Sequence, residues 1–444
     1  MAEWKKVKLK EVLNQYRNTH WVEDKNYKQV TISQTGEVSY RGTKHGSQIG
    51  RKRQFIIDLK NHPNTLIFIR QGVFNGGIGI CPKEVDGCLV TENMPMFDIV
   101  NINPEYLIYY LKSPQFKKEV DKLVPLGTAQ KAIHERQLLE IEIFLPSPKE
   151  QEEIVKLLKS NSDNISELDI INNKNKNYIV KLKQQILLEA VQGKLVKQDP
   201  KDEPASELLK KIKAGKDKLV KEGKIRKEKP LKPISEDEIP YDLPKGWEWV
   251  RLGELVKVFA GNSFDSYDFN DQKGVKAIKI TNVGVGEFIE TEDYLPESFL
   301  KKYEDFKVNK GDIIISLTRP YISAGLKVCI CPESYDLSLL NQRVASIKKT
   351  EKIDFNYLYL FLRTNYVLNK FKSRFGKAGL QPNLKMGDLI DLEFPLPSID
   401  EQKRIVEKVD KLMGYCNELE KQVKDNQRNS EKLMVAVLKE SFEK

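Results

Sequence analysis

LPSPKEQEEIV (Leu145 to Val155) and LPSIDEQKRIV (Leu396 to Val406) are two copies of one stretch, 251 residues apart in a chain of 444. Both share a proline exit, an acidic-Gln pair and an Ile-Val, and each opens a long run that is nearly free of proline. The first run extends from about Lys149 to Val196 and the second from about Asp400 onward. Apolar residues recur along both at three- and four-residue steps, the seam of a coiled coil. We assign the seam to Ile154, Leu158, Ile165, Leu168, Leu182 and Ile186 on the first helix. On the second it is assigned to Ile405, Val409, Leu412, Leu419, Val423, Leu433 and Val437. At about 1.5 Å per residue such a helix reaches roughly 65 Å. That is more than a small globule needs for its own core, so the copies are expected to pack on each other. Antiparallel pairing avoids crowding the globules that precede them.

The material ahead of each copy repeats as well. Trp4, Val7, Leu9 and Glu11 match Trp247, Val250, Leu252 and Glu254. Strand patterns follow in both halves: VTIS and EVSY, then LIFI (Leu66 to Ile69), in the first, and VKAIKI (Val275 to Ile280) and DIIIS (Asp312 to Ser316) in the second. NPEYLIYYLKS and DFNYLYLFLRT then place Tyr106, Leu107, Tyr110 and Leu111 in register with Tyr357, Leu358, Phe361 and Leu362. Their spacing is that of a helix face turned to a core. These aromatics therefore read as packing rather than as platforms for stacked bases.

The fold class is thus α/β: two mixed α/β domains separated by an antiparallel coiled coil of two long helices in a pseudo-two-fold repeat. Boundaries fall at 1–147 for the first domain, 148–198 for the first spacer helix, 199–246 for a charged helix and linker, 247–398 for the second domain and 399–444 for the second helix. Gly193 is a helix stop, and the linker carries one charged helix near Pro204 to Glu222.

Composition sets the class of partner. The formal charge is +10 and the isoelectric point near 9.0, which favours an anionic partner such as nucleic acid. Part of that surplus lies in the linker from Lys201 to Lys232, where 12 Lys and Arg face 6 Asp and Glu. Five scattered cysteines argue for a reducing compartment rather than a disulfide framework. No apolar run reaches the roughly 18 residues of a membrane span, and a cytoplasmic location is expected.

Signatures of catalysis are missing: no phosphate-binding GxxxxGK[ST], no GxGxxG in QGVFNGGIG, no HExxH, no Asn/Asp-Pro-Pro-aromatic motif and no metal-ligand spacing around Cys329 and Cys331. Clusters suited to reading DNA are present. RGTKHGSQIGRKRQ supplies Arg41, Lys44, His45, Gln48, Arg51, Lys52 and Arg53, with Arg70 and Asn75 further on. Asn262, Ser263, Lys279, Asn282, Arg319, Tyr321, Gln342, Arg343, Arg374, Lys377, Gln381 and Asn383 are the candidates of the second half. Guanidinium, ammonium and amide groups are the ones that match phosphates and base edges. The framework repeats while these residues do not, as expected of two heads that read different sequences.

With the WEWVRLGEL start, the LPSPKEQ and LPSIDEQ exits and the segment Leu187 to Lys213 followed by EIPYDLPKGWEW, the chain resembles the specificity (S) subunit of type I restriction-modification systems over its full length. The resemblance implies two target recognition domains, each reading one half of a bipartite double-stranded DNA site, with the helices setting the spacing. It implies a non-catalytic subunit that binds two methyltransferase (modification) subunits and motor-endonuclease (restriction) subunits. S-adenosylmethionine, ATP and Mg would then belong to those partners. One departure is the second helix, which lacks the Gly-Lys-Leu that follows the first at Gly193. The competing readings are a DNA-bridging or regulatory protein with two heads and no enzyme partner, and a scaffold that binds only proteins.

Overall fold

The computed structural model describes residues 4–124, 132–223, 229–270, 272–375 and 382–443. The chain divides into two compact units, residues 1–175 with 422–444, and residues 176–421.

The first unit opens with strands β1 (Lys5–Lys8), β2 (Leu13–Tyr16), β3 (Thr19–Trp21), β4 (Asn26–Ile32), β5 (Val38–His45), β6 (Arg53–Ile56), β7 (Thr65–Phe68), β8 (Ile78–Ile80), β9 (Leu89–Val90) and β10 (Met96–Ile99). Helices α1 (Pro104–Leu111), α2 (Pro114–Asp121) and α3 (Glu135–Leu139), strand β11 (Glu142–Leu145) and the first long helix, α4 (Pro148–Val191), follow. Three sheets result: a ribbon β1-β11, a four-stranded sheet β2-β10-β7-β8 and a five-stranded sheet β3-β6-β9-β4-β5. The last mixes antiparallel hairpins with a parallel pairing of β4 and β9.

The second unit includes the linker helix α5 (Ala205–Lys221), then β12 (Glu248–Arg251), α6 (Leu252–Leu255), β13 (Val258–Ala260), β14 (Val275–Ile278), β15 (Tyr294–Leu295), α7 (Phe299–Lys302) and β16 (Lys307–Val308). Next come β17 (Ile313–Ser316), β18 (Tyr321–Ile322), β19 (Gly325–Leu326), β20 (Val328–Ile330), β21 (Ser338–Leu340) and β22 (Val344–Ile347). Helices α8 (Phe355–Leu362), α9 (Asn365–Ser373) and α10 (Met386–Ile390), strand β23 (Glu393–Leu396) and the second long helix, α11 (Ile399–Phe442), complete it. Ribbon β12-β23 and sheet β13-β22-β17-β20 reproduce the ribbon and four-stranded sheet of the first unit. Of the remaining sheets, β15-β14-β21-β16 differs from the five-stranded sheet of the first unit, and β18-β19 is a two-stranded ribbon.

The repeated exit has a structural reason. Gln151 and Gln402 are buried, and each donates its amide N–H to the proline carbonyl five residues back, Pro146 O and Pro397 O, at 2.9 Å. Their amide oxygens accept from the backbone N–H of Asn103 at 2.8 Å and of Asp354 at 2.7 Å. Asn103 and Asp354 in turn cap α1 and α8. One glutamine thus ties last strand, long helix and aromatic helix together in each unit. The aromatic stripes are core as expected, with Tyr106, Tyr110, Tyr357 and Phe361 buried.

Both long helices are 44 residues, and each unit holds the start of one and the end of the other. In the first unit Leu438 and Phe442 of α11 enter the core that also contains Val155 and Leu158 of α4. In the second, Lys183 of α4 pairs with Glu420 of α11 at 2.8 Å. The helices therefore run antiparallel. Their seam departs from the sequence expectation: Leu168, Leu182, Leu419 and Leu433 are 43–48% exposed. The buried residues step by sevens: the expected Leu158, Ile186, Val409 and Val423 are joined by Asn172 and Ile179 on α4 and by Cys416 and Ser430 on α11. Ile154, Ile165, Leu412 and Val437 are half-buried beside them, and Ile405 is fully buried.

After Val191 the chain turns at Gly193, whose φ of +68° belongs to the left-handed region. A Cβ here would lie 2.4 Å from Pro244 Cγ and 3.1 Å from Trp247 Cζ2. The linker beyond is pinned to the second unit. Gln198 donates to Glu401 at 2.6 Å, Arg404 grips Asp202 through two bonds, and Tyr241 donates to Val191 O at 3.0 Å. Trp247 Nε1 also donates to Glu401, at 2.9 Å; burial raises the Glu401 carboxyl above its ordinary value despite these bonds. Gly193→Ala should therefore destabilise the second unit by more than about 1 kcal/mol, through both backbone strain and collision. A thermal melt that is unchanged would remove this role.

Candidate nucleic-acid interface

The duplicated four-stranded sheet fixes one end in each unit. In the first, Met96 lies opposite both Tyr16 and Ile67, and Phe68 opposite Ile78. The chain therefore leaves β2 and β7, and enters β8 and β10, at a common end. Arg17, Arg70, the turn carrying Asn75 and the approach Asn93 to Pro95 gather there. Ile133 N–H donates to Arg70 O at 2.9 Å, and Arg70 N–H donates to Asn93 O at 3.1 Å.

Arg70 is committed rather than free. Its Nε and Nη2 donate to Glu135 at 3.1 and 2.5 Å, and both side chains are largely buried. Burial is the largest influence and pushes the Glu135 carboxyl up, but the bond and charge of Arg70 together with a backbone N–H and Gln15 hold the group below its ordinary value. A cavity of about 260 Å³ is lined there by Gln15, Arg17, Arg53, Arg70, Glu92 and Glu135. Arg17 and Arg53 are exposed and have no ion-pair partner among the described residues.

The β4-β5 hairpin carries the next group. A bulge between Gln29 and Val30 and Gly42 at φ +135° twist it, and Arg41 and Lys44 stand exposed on β5. Gln48 is exposed in the following turn, while His45 Nδ1 contacts Ser47 Oγ at 2.9 Å and lies 3.5 Å from the Asp24 carboxylate. Arg51 pairs with Glu92. Lys52 donates to Gly46 O at 2.8 Å and holds the loop closed.

At the matching end of the second unit, Gln342 N–H donates to Asn262 O at 2.8 Å, Leu317 N–H to Arg343 O at 2.9 Å and Arg319 N–H to Pro382 O at 3.0 Å. These bonds draw four chain segments together. Arg319 takes φ +49°, an uncommon conformation for a non-glycine residue. Arg319, Gln342, Arg343, Ser263 and Asn383 are exposed, and Asn262 is half-buried. Tyr321 faces Phe375 at 6.1 Å and carries Lys372 Nζ 5.2 Å from its ring.

In the second unit, three residues expected to read DNA make contacts within the fold. Asn282 is fully buried; it accepts from Lys279 N–H at 2.7 Å and donates to Ile289 O at 2.8 Å. Lys279 pairs with Asp293 at 2.6 Å, and Arg374 with Asp388. These are scaffold contacts that a polar-residue count cannot separate from free ones. Lys377 and Gln381 lie outside the described residues. Conversely, Gln15, Arg17, Gln29 and Asn93 sit in segments that only the sheet order brings together, while Gln54 closes the basic stretch Arg41 to Gln54 itself.

Exposed guanidinium and amide groups at a strand end match phosphate oxygens and base edges. No cluster of metal-ligating side chains occurs among the described residues. The type I restriction modification DNA specificity domain matches residues 1–179 and 244–426. The chain belongs to this family. Among relatives, the type I restriction enzyme EcoAI specificity subunit of Escherichia coli is 41% identical over 241 residues, 54% of this chain and 40% of that protein. The MjaVIII specificity subunit of Methanocaldococcus jannaschii is 30% identical over 338 residues, 75% of this chain and 69% of its own. The chain thus spans only about two fifths of the length of the E. coli relative. Two solved structures share the specificity-domain fold at 18% identity. A chain from a type I R-M system aligns with a TM-score of 0.66, covering 99% of this chain and 97% of its own. The HsdS subunit of Thermoanaerobacter tengcongensis aligns at 0.54, covering 99% and 96%.

Proposed function

We propose that this chain is the DNA sequence-specificity subunit of a type I restriction-modification complex. Each α/β unit reads one half of a bipartite site, and the long helices that both units share set the spacing between the halves. The observation that carries this reading is the duplicated strand end: one framework, furnished with Arg17, with Arg53 lining the same cavity, in one unit and with Arg319, Gln342 and Arg343 in the other. Lysine and arginine contacts to phosphate supply salt-sensitive affinity, and amides and guanidiniums at base edges supply selectivity.

Catalysis belongs to partners. Two methyltransferase subunits dock on the long helices, and motor-endonuclease subunits join for cleavage, bringing S-adenosylmethionine, ATP and Mg. Support for the docking role comes from apolar side chains exposed on α4, among them Leu157, Leu168 and Ile171 in the first unit and Tyr178, Val180 and Leu182 in the second. Clustered exposed apolar residues mark interaction surfaces. The complex acts in the cytoplasm; among the described residues no helix is long and apolar enough to cross a membrane.

Exchange of residues 247–397 for the same segment of another family member tests the reading. Sequencing of modified bases across the genome should show a new sequence in one half of the methylated motif and the old one in the other. A change in both halves, or in neither, would overturn it.

A further inference from the structure

A cavity of about 430 Å³ in the first unit is lined by Gln29 of β4, Lys44 of β5 and Gln54 of β6, with Arg51, Glu92 and Asn93. Its volume lies in the range of sites that take small organic groups. Gln54 decides its chemistry. The residue is 5% exposed, and its amide nitrogen donates to Arg51 O at 2.7 Å. That bond fixes which way the amide points, because the reversed amide would set oxygen against oxygen. The Gln54 oxygen is then an acceptor that takes no hydrogen bond from the described residues. An acceptor of fixed orientation on a largely buried side chain is selective, since it favours a donor and disfavours another acceptor at the same point.

Resting on the DNA-reading role above, we infer that this cavity reads one base pair of the first half-site and that Gln54 is its specificity-determining residue. Its oxygen accepts from the exocyclic amino group of adenine (N6) or cytosine (N4), the major-groove donors of the bases. Guanine O6 or thymine O4 in that place would face it oxygen to oxygen. Asn93, whose side chain is exposed beside it, contributes a second amide to the same base pair. Glu92 has two effects: it neutralises Arg51 in the free protein, and its charge keeps phosphate out of the cavity, so a base edge enters rather than backbone. Lys44, without an ion-pair partner among the described residues, remains for the adjoining phosphate.

The experiment uses the whole complex in cells, with modified bases sequenced genome-wide. Gln54→Met removes the acceptor and keeps the volume. At one position of the first half-site the preference for the wild-type base over its transition partner should fall by about 5- to 150-fold, the size of one good base contact. The second half-site should not change. An unaltered motif, or relaxation in both halves, overturns the inference. Should Gln54→Met fail to give a folded complex, Asn93→Ala, at an exposed position, carries the decision. Relaxation confined to one position of the first half-site supports the cavity, and an unchanged motif rejects it. A wild-type methylome that does not depend on this gene would instead overturn the proposed function, so the two failures are distinct.

Discussion

Phe442→Ala should destabilise the first unit by about 3–5 kcal/mol, the usual cost of truncating a buried phenylalanine. The ring is fully buried one residue from the end of the described chain. It meets Tyr106 at 5.4 Å and 73° and Tyr110 at 5.2 Å and 79°, edge-to-face contacts worth about 0.5–1.5 kcal/mol each beyond area burial. Both tyrosines lie on α1, and Tyr106 donates to Phe144 O at 2.8 Å. Losing the ring therefore opens a space bounded by helix, ribbon and the start of α4, elements held by different stretches of chain that cannot all collapse into it. Leu433→Ala is the control: this side chain is 48% exposed and its loss should cost less than about 0.5 kcal/mol. Hydrogen exchange followed by mass spectrometry reads the result locally. Peptides of residues 4–124 should lose protection in Phe442→Ala while those of residues 248–375 keep theirs. Uniform loss, or a change no larger than the control's, would show that the end of α11 is not part of this core.

That dependence was half legible in the sequence. The paired exits announce two equal helices because a glutamine, a proline and a strand end must recur together to make the Gln151 and Gln402 bridges, and such a constraint survives as a readable motif. The aromatic stripes were legible for a similar reason, since helical spacing of large side chains has few explanations other than a core. Beyond NPEYLIYYLKS the sequence reading gave no further helix, yet Ser113 accepts from Phe116 N–H at 3.2 Å and Pro114 begins a second one. Thr364 does the same ahead of α9.

The seam misled because leucine is a poor guide where two helices pack closely. Asn172, Cys416 and Ser430 take buried places at sevenfold spacing, and leucines at neighbouring steps are left outside. The candidate interface was least legible. Gln29, Gln54 and Asn93 share a cavity only because β4 pairs in parallel with β9 and β9 with β6, a pairing between distant segments that no local pattern encodes.

Arg251→Met should cost the second unit about 3–5 kcal/mol, because it removes one partner of a buried ionic cluster and leaves the others charged. Arg251 is 4% exposed. It donates to Glu393 at 2.9 Å, Glu238 at 2.7 Å, Asp391 O at 2.7 Å, Lys232 O at 3.1 Å and Pro233 O at 3.2 Å. Glu393 is itself buried, with Lys370 at 2.8 Å, so without Arg251 a single lysine must offset it. Removing both members should be milder than removing one: Arg251→Met with Glu393→Leu is expected to recover much of the loss, since an apolar pair of similar volume carries no desolvated charge. The linker should respond as well, because Lys232, Pro233 and Glu238 all bond to this one side chain. Limited proteolysis near residue 235 ought to quicken in the single variant.

The same cluster predicts a pH dependence with a definite sign. Hydrogen bonding from Arg251, aided by the Ser235 backbone N–H, lowers the Glu238 carboxyl from 4.5 to about 2. A carboxyl depressed by folding stabilises fully above its unfolded value and loses that contribution as pH falls toward its folded one. The wild-type second unit should therefore lose stability between about pH 4.5 and 2 in part through Glu238, and Arg251→Met should show a shallower slope there because the variant has already forfeited the bond. Urea midpoints measured from pH 7 down to about 2.5 in both proteins decide it. Parallel slopes would mean that Arg251 does not hold Glu238 in its charged form, and the cluster would then be a packing feature rather than an ionic lock on the linker.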